Sequence, residues 1–168
     1  MNLIDHDPFL GLICGFTLEG GRARRLHWNE MVGAIERPDS GVWLHFNTAD
    51  QRSQHFIAET GAIQPIVREF LLARDERARL EPLAGGIAGV LPDIRLQSDE
   101  DSLEAGIIRL FCDGQTLISA RNRPVRTMDR LRLSVEQGAV EGGATDVFVR
   151  LMREFDVTFS QMIDSLEV

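Results

Sequence analysis

The chain has 168 residues, 43% hydrophobic and 26% charged, with nine Phe and two Trp, which suffices for one domain with a buried core. Its net charge is −8 and all 18 basic residues are Arg; this balance argues against a nucleic-acid-binding domain, which needs a basic surplus for its phosphate contacts, and suits the attraction of cations. The longest apolar stretch, Leu83–Leu91, has nine residues where roughly 20 are needed to cross a bilayer, and Met1–Pro8 carries Asp5 and Asp7 instead of the basic head and apolar run of a signal peptide.

Residues 1–9 are expected to form a tail. Leu10–Leu18 reads as a strand, Gly20-Gly21 as a tight turn and Ala23–Trp28 as the returning strand. Gly41–Asn47 alternates, with Val42, Leu44 and Phe46 on one face and Trp43, His45 and Asn47 on the other. Thr48 with Gln51 three residues on reads as a capping box opening a helix that Gly61 ends. Pro65 suits the first position of a second helix, Pro65–Arg74, with Ile66, Val67, Phe70 and Leu71 on its inner face. Arg79–Leu83 and Ile87–Ile94 read as strands joined through Gly85-Gly86, and Ser98–Ser102 as an acidic loop. Leu103–Cys112 and Gln115–Arg121 flank Asp113-Gly114, a strong hairpin signal because both residue types tolerate positive φ.

Pro124 then opens a helix carrying Val125, Met128, Leu131 and Val135, which Gly138 stops. Thr145 is expected to cap a final helix, with Asp146 at its positive end. Along that helix Phe148, Leu151, Met152, Phe155, Phe159, Met162, Ile163 and Leu166 recur at helical spacing, and no stop signal precedes Val168. Such a stripe needs a partner, so the last turns are read as an unfinished joint, completed by further polypeptide. The order predicts an α/β domain: a mixed, partly antiparallel sheet flanked by helices, ending in a long amphipathic helix. There are no internal repeats and no dividing linker, so residues 1–168 form a single domain.

Few residues carry recognisable chemistry. Cys14 and Cys112 lie far apart in apolar strands and read as buried free thiols. His6, between Asp5 and Asp7, is best explained as part of a solvated tail, and His27 has no evident partner. His45 reads as a hydrogen-bonded histidine under a helix. His55 and Glu59 stand four apart on one helical face, able to share a metal ion but supplying only half a site. Asp99, Glu100, Asp101 and Glu104 lack the pattern of a calcium loop. Arg121, Arg123, Arg126, Arg130 and Arg132 form a basic concentration, read as balancing neighbouring carboxylates such as Asp129. Gly85-Gly86-x-x-Gly89 is neither a phosphate loop nor a dinucleotide fingerprint, no nucleophile elbow is present, and enzyme activity is not expected.

The order of elements, together with WLHFN at 43–47, RARLEPL at 77–83 and IIRLFCDGQTLISARNRPV at 107–125, resembles the cytoplasmic N-terminal domain of CorA-type divalent-cation transporters, with the ZntB zinc-transporter subgroup the nearest in pattern. The resemblance implies a regulatory and assembly domain at the cytoplasmic face of the bacterial inner membrane. It also implies a homopentamer in the full-length protein and a last helix, 145–168, leading to a stalk. The transmembrane part and its Gly-Met-Asn signature are absent from this sequence. Zn2+ or Mg2+ is implied as the transported or regulatory ion, with no other cofactor. By the same analogy, cations bound by carboxylates between subunits bring Asp156, Asp164 and Glu167 in as candidate ligands beside His55 and Glu59. The alternative reading is a stand-alone α/β protein-binding module that docks through its C-terminal helix.

Overall fold

The computed structural model describes residues 11–37, 41–94 and 105–166. The expected tail at 1–9, the acidic loop 98–102, Glu104 and Glu167 therefore lie outside the described residues. Seven strands form one sheet: β1 (Leu12–Glu19), β2 (Arg22–Arg25), β3 (Gly41–Asn47), β4 (Arg79–Leu83), β5 (Gly86–Ile94), β6 (Ala105–Cys112) and β7 (Thr116–Arg121). Their spatial order is β2-β1-β3-β7-β6-β5-β4. β3 and β7 pair in parallel and every other neighbouring pair is antiparallel. The expected mixed α/β architecture is therefore present.

Alternation along β3 divides two cores. Trp43 faces a core shared with Phe16, Leu110 and Leu117, closed by α4 (Arg126–Glu136) and α5 (Ala144–Leu166). Val42, Leu44 and Phe46 face the opposite core, closed by α1 (Met31–Ile35), α2 (Gln51–Glu59) and α3 (Pro65–Leu72). A sheet buried on both sides explains why its inner strands read as nearly continuous apolar runs. Only the edges are half exposed. β2 reads RARR, and β4 carries Arg79, Glu81 and Pro82.

Several local expectations are corrected, each for a physical reason. The second strand stops at Arg25 instead of reaching Trp28; a 3-10 turn at Trp28–Glu30 leads into α1, pinned where the His27 N–H donates to Glu30 Oε2 at 2.8 Å. Thr48 does not cap α2. Its own N–H continues the parallel ladder to the Arg121 carbonyl at 2.8 Å. Asp50 takes the capping role, accepting from the N–H groups of Arg52 (2.8 Å) and Ser53 (3.4 Å), and the helix ends at Glu59, before Gly61. α3 ends at Leu72, two residues short of Arg74. In the Asp113-Gly114 turn only Gly114 takes positive φ, at 95°; Asp113 acts through its carboxylate, which accepts from the N–H groups of Gln115 and Thr116. The β4–β5 turn places Ala84 and Gly85 at positive φ. Gly86 is demanded by space instead, since a Cβ there would lie 2.3 Å from the Cys112 carbonyl oxygen.

The helices of the first core are fixed by groups remote in sequence. α4 begins at Arg126, not at Pro124. Its first turn is capped from the sheet: Asp93 on β5, fully buried, accepts from Thr127 N–H at 2.9 Å and from Thr127 Oγ1 at 2.7 Å. Thr158 of α5 completes this buried cluster, its Oγ1 2.7 Å from Thr127 Oγ1. α5 starts at Ala144, and Thr145 is not its cap; the Thr145 hydroxyl donates to the Gly114 carbonyl at 3.1 Å. Asp146 does sit in the first turn. On α5 the residues Ala144, Val147, Leu151, Phe155 and Thr158 are buried against the sheet and α4, whereas Val149, Val157 and Ile163 are 41%, 47% and 57% exposed. Of the apolar stripe, Leu151 and Phe155 are thus covered by the domain, and Ile163 is left open.

His45 lies in the same core under α4, with Nδ1 2.8 Å from Ser119 Oγ, a hydroxyl that also accepts from Trp43 Nε1–H at 3.0 Å. Burial, then the Arg121 guanidinium, pulls the His45 pKa down to about 3. The folded protein holds it neutral.

Three outcomes are expected. Leu151→Ala costs about 2–5 kcal/mol in urea unfolding, while Ile163→Ala stays within about 0.5 kcal/mol; equal losses would contradict the burial pattern. Asp93→Ala strands the buried Thr127 N–H and leaves its hydroxyl only Thr158 as partner, at about 1–3 kcal/mol; a loss below about 0.5 kcal/mol would show that the cap contributes nothing. Because the His45 pKa is depressed in the folded state, its neutral form stabilises the fold at neutral pH, and that contribution is lost as pH falls from about 6.5 toward about 3. His45→Gln therefore flattens the fall in stability between pH 7 and pH 4 by on the order of 3 kcal/mol. An unchanged difference between the two proteins across that window would refute it.

Candidate functional site

The residues singled out as metal candidates do not converge within one chain. His55 and Glu59 are exposed on α2, on one side of the sheet; Asp156 and Asp164 are exposed on α5, on the other. Among the described residues no group of three or more His, Cys, Asp or Glu side chains is arranged to hold a metal ion. Cys14 and Cys112 are free and buried, and burial raises both thiols above their usual pKa, which disfavours thiolate. Of the basic concentration, Arg132 pairs with Asp129 at 2.9 Å and Glu136 at 3.1 Å, as carboxylate balancing requires.

One concavity was not visible in the sequence. A cleft of about 710 Å3 opens beyond the carboxyl ends of β3 and β7, between α2 and the end of α3. Its apolar floor includes Leu71, Ile107 and Ala120, and its polar wall includes Gln51, Gln54, His55 and Asn122. Arg74, from α3's exit, and Arg109, from β6, line it, and Glu76 stands on the rim. Arg109 lies opposite Ala120 and shares its face, whereas Arg121 lies opposite Ile108 and turns to the other face, toward His45 and Asp129. Arg109 is buried, at 7% exposure, and donates from Nη2 to the Asp75 carbonyl; its Nη1 is buried with no hydrogen-bond partner among the described residues. Burial, followed by the neighbouring Arg79 cation, pulls the Arg109 pKa below the ordinary arginine value. Arg121 was visible in sequence as part of the 121–132 concentration. That Arg109 faces the cleft and Arg121 does not depends on strand register, which no local pattern encodes.

No helix among the described residues is long and apolar enough to cross a membrane. The fold and sequence nonetheless match proteins of membrane transport. The divalent cation transporter CmaX of Pseudomonas aeruginosa is 26% identical over 163 residues, covering 94% of this chain and 49% of that protein. The structure of full-length CmaX superposes with a TM-score of 0.78 at 25% identity, covering 97% of this chain and 52% of the other. The ZntB cytoplasmic domain from Vibrio parahaemolyticus shares the fold, with a TM-score of 0.73 at 17% identity over 93% of this chain and 62% of that one. The chain thus spans about half the length of its CmaX relative. The sequence profile described as CorA-like Mg2+ transporter protein matches residues 38–168, the region that holds β3, the Asp113-Gly114 hairpin and both closing helices. The chain belongs to the CorA-like Mg2+ transporter family.

Proposed function

We propose that this chain is the cytoplasmic regulatory and assembly domain of a CorA/ZntB-like divalent-cation transporter, acting within a homopentamer and without enzymatic activity. The observation that carries the reading is the split along α5. Its turns as far as Thr158 are locked to the sheet and to α4 through Leu151, Phe155 and the Asp93–Thr127–Thr158 cluster, and Ile163 beyond them is exposed. A helix anchored at one end and unpartnered at the other can carry a displacement of the domain toward a stalk and pore. Family membership and the likeness to the ZntB cytoplasmic domain support the same reading.

Zn2+ or Mg2+ would act from outside the core. Asp156 and Asp164 lie exposed on α5, where carboxylates of adjacent copies can share a cation and His55 with Glu59 can offer a second, weaker contact. Cation binding that prefers one arrangement of neighbouring copies shifts the population toward it, by as much as its affinity differs between arrangements. The net charge of −8 raises local cation concentration around the assembly.

Zn2+ and Mg2+ titrated separately into the chain, followed by calorimetry and sedimentation velocity, test this reading. The expected outcome is saturable heat accompanied by self-association, both lost in the double variant Asp156→Asn/Asp164→Asn. No heat and no change in mass with either ion would overturn a cation-regulated interface in this domain.

A further inference from the structure

The cleft at the carboxyl ends of β3 and β7 has the make-up of an anion site, in a protein whose overall charge is negative. Two arginine side chains line it, Arg74 and Arg109, and neither pairs with a carboxylate among the described residues, with Glu76 on the rim. The carboxylate best placed to neutralise Arg109 is already engaged: Asp75 pairs with Arg79 at 3.1 Å and with Arg77 at 3.6 Å, and only its backbone carbonyl serves Arg109. Arg79 is in turn satisfied by Asp75, by Glu81 at 2.9 Å and by the face of Phe70. Arg109 is left with a buried, unmade N–H at Nη1, which costs stability unless a ligand supplies the acceptor.

The position adds a second, independent argument. In open α/β sheets ligands collect outside the carboxyl ends of parallel strands, and β3 with β7 is the parallel pair of this sheet. The volume, about 710 Å3, falls within the range of small-molecule sites, about 300–1,000 Å3. Arginine forks match the paired oxygens of a phosphate group. The side-chain amides of Gln51, Gln54 and Asn122 offer donors and acceptors for the uncharged remainder, above the apolar floor of Leu71 and Ile107.

We propose that this cleft binds a phosphate-bearing small molecule of about nucleotide size, with Arg109 meeting the phosphate from the sheet and Arg74 from the exit of α3. Such a ligand would bridge α2, α3 and the sheet on the face opposite α5.

The test is calorimetric titration of the chain with pyrophosphate and with ADP, free of divalent metal, with citrate as a carboxylate of comparable charge. Saturable binding of pyrophosphate and ADP, weaker binding of citrate, and a fall of affinity with added salt are expected. Arg109→Met, which removes the charge and keeps much of the volume, abolishes binding. Arg74 is exposed, so Arg74→Ala and Arg74→Glu leave the thermal unfolding of the free protein unchanged. The first weakens binding by roughly fivefold and the reversal weakens it further; these two decide the matter even if Arg109→Met fails to fold. No saturable heat with either phosphate probe, affinity indifferent to both Arg74 substitutions, or citrate bound as tightly as pyrophosphate would each overturn the proposal.

Discussion

The domain is organised around the parallel pairing of β3 with β7, which brings Val42 opposite Thr116 and Asn47 opposite Arg121. Strands so far apart in sequence pair only after the intervening chain has been placed, and here that chain contains α2, α3 and half of the sheet. The entropy of closing so long a loop must be recovered by burial. Recovery is possible because β3 is buried on both faces, through Trp43 toward α4 and α5 and through Leu44 and Phe46 toward α2 and α3. The parallel pair therefore joins two cores that would otherwise be separate, and the cleft at its carboxyl end is a by-product of the same geometry.

What the sequence made legible follows from this. Periodicity in β3 was sufficient to assign both of its faces, because each face is apolar for a purely local reason. The strands β4 to β7 and the long last helix were legible on the same grounds. The short helix Met31–Ile35 was not, since five residues give no helical period and its stabilising bond runs from Glu30 back to His27. The starts of α2, α4 and α5 were misplaced for a common reason. Thr48 and Thr145 are suitable capping residues by type, but tertiary contacts with Arg121 and Gly114 recruit their backbone or side chain. Asp93, 34 residues from Thr127, supplies a cap that no local pattern could reveal.

The candidate site divides in the same way. His55 with Glu59 was legible as a pair because helical spacing is local, and so was the Arg121–Arg132 concentration. The meeting of Arg74 and Arg109 at one cleft was not, because it rests on β6–β7 register and on where α3 ends. A lone Arg109 in a strand carries no sequence signal of its own. Only its burial beside an Asp75 already committed to other arginines gives it meaning.

The two outermost strands constrain how copies of this domain can meet. β2 is four residues long and three of them are Arg, while β4 carries Pro82, which has no N–H to offer. Repulsion between like charges blunts one border and a missing donor interrupts the other, so neither makes a good template for a neighbour's backbone. Growth of the sheet from molecule to molecule is disfavoured on both flanks. Any contact between copies is thereby left to side chains on helices and loops, which can slide and re-register by small steps without breaking a ladder of backbone bonds.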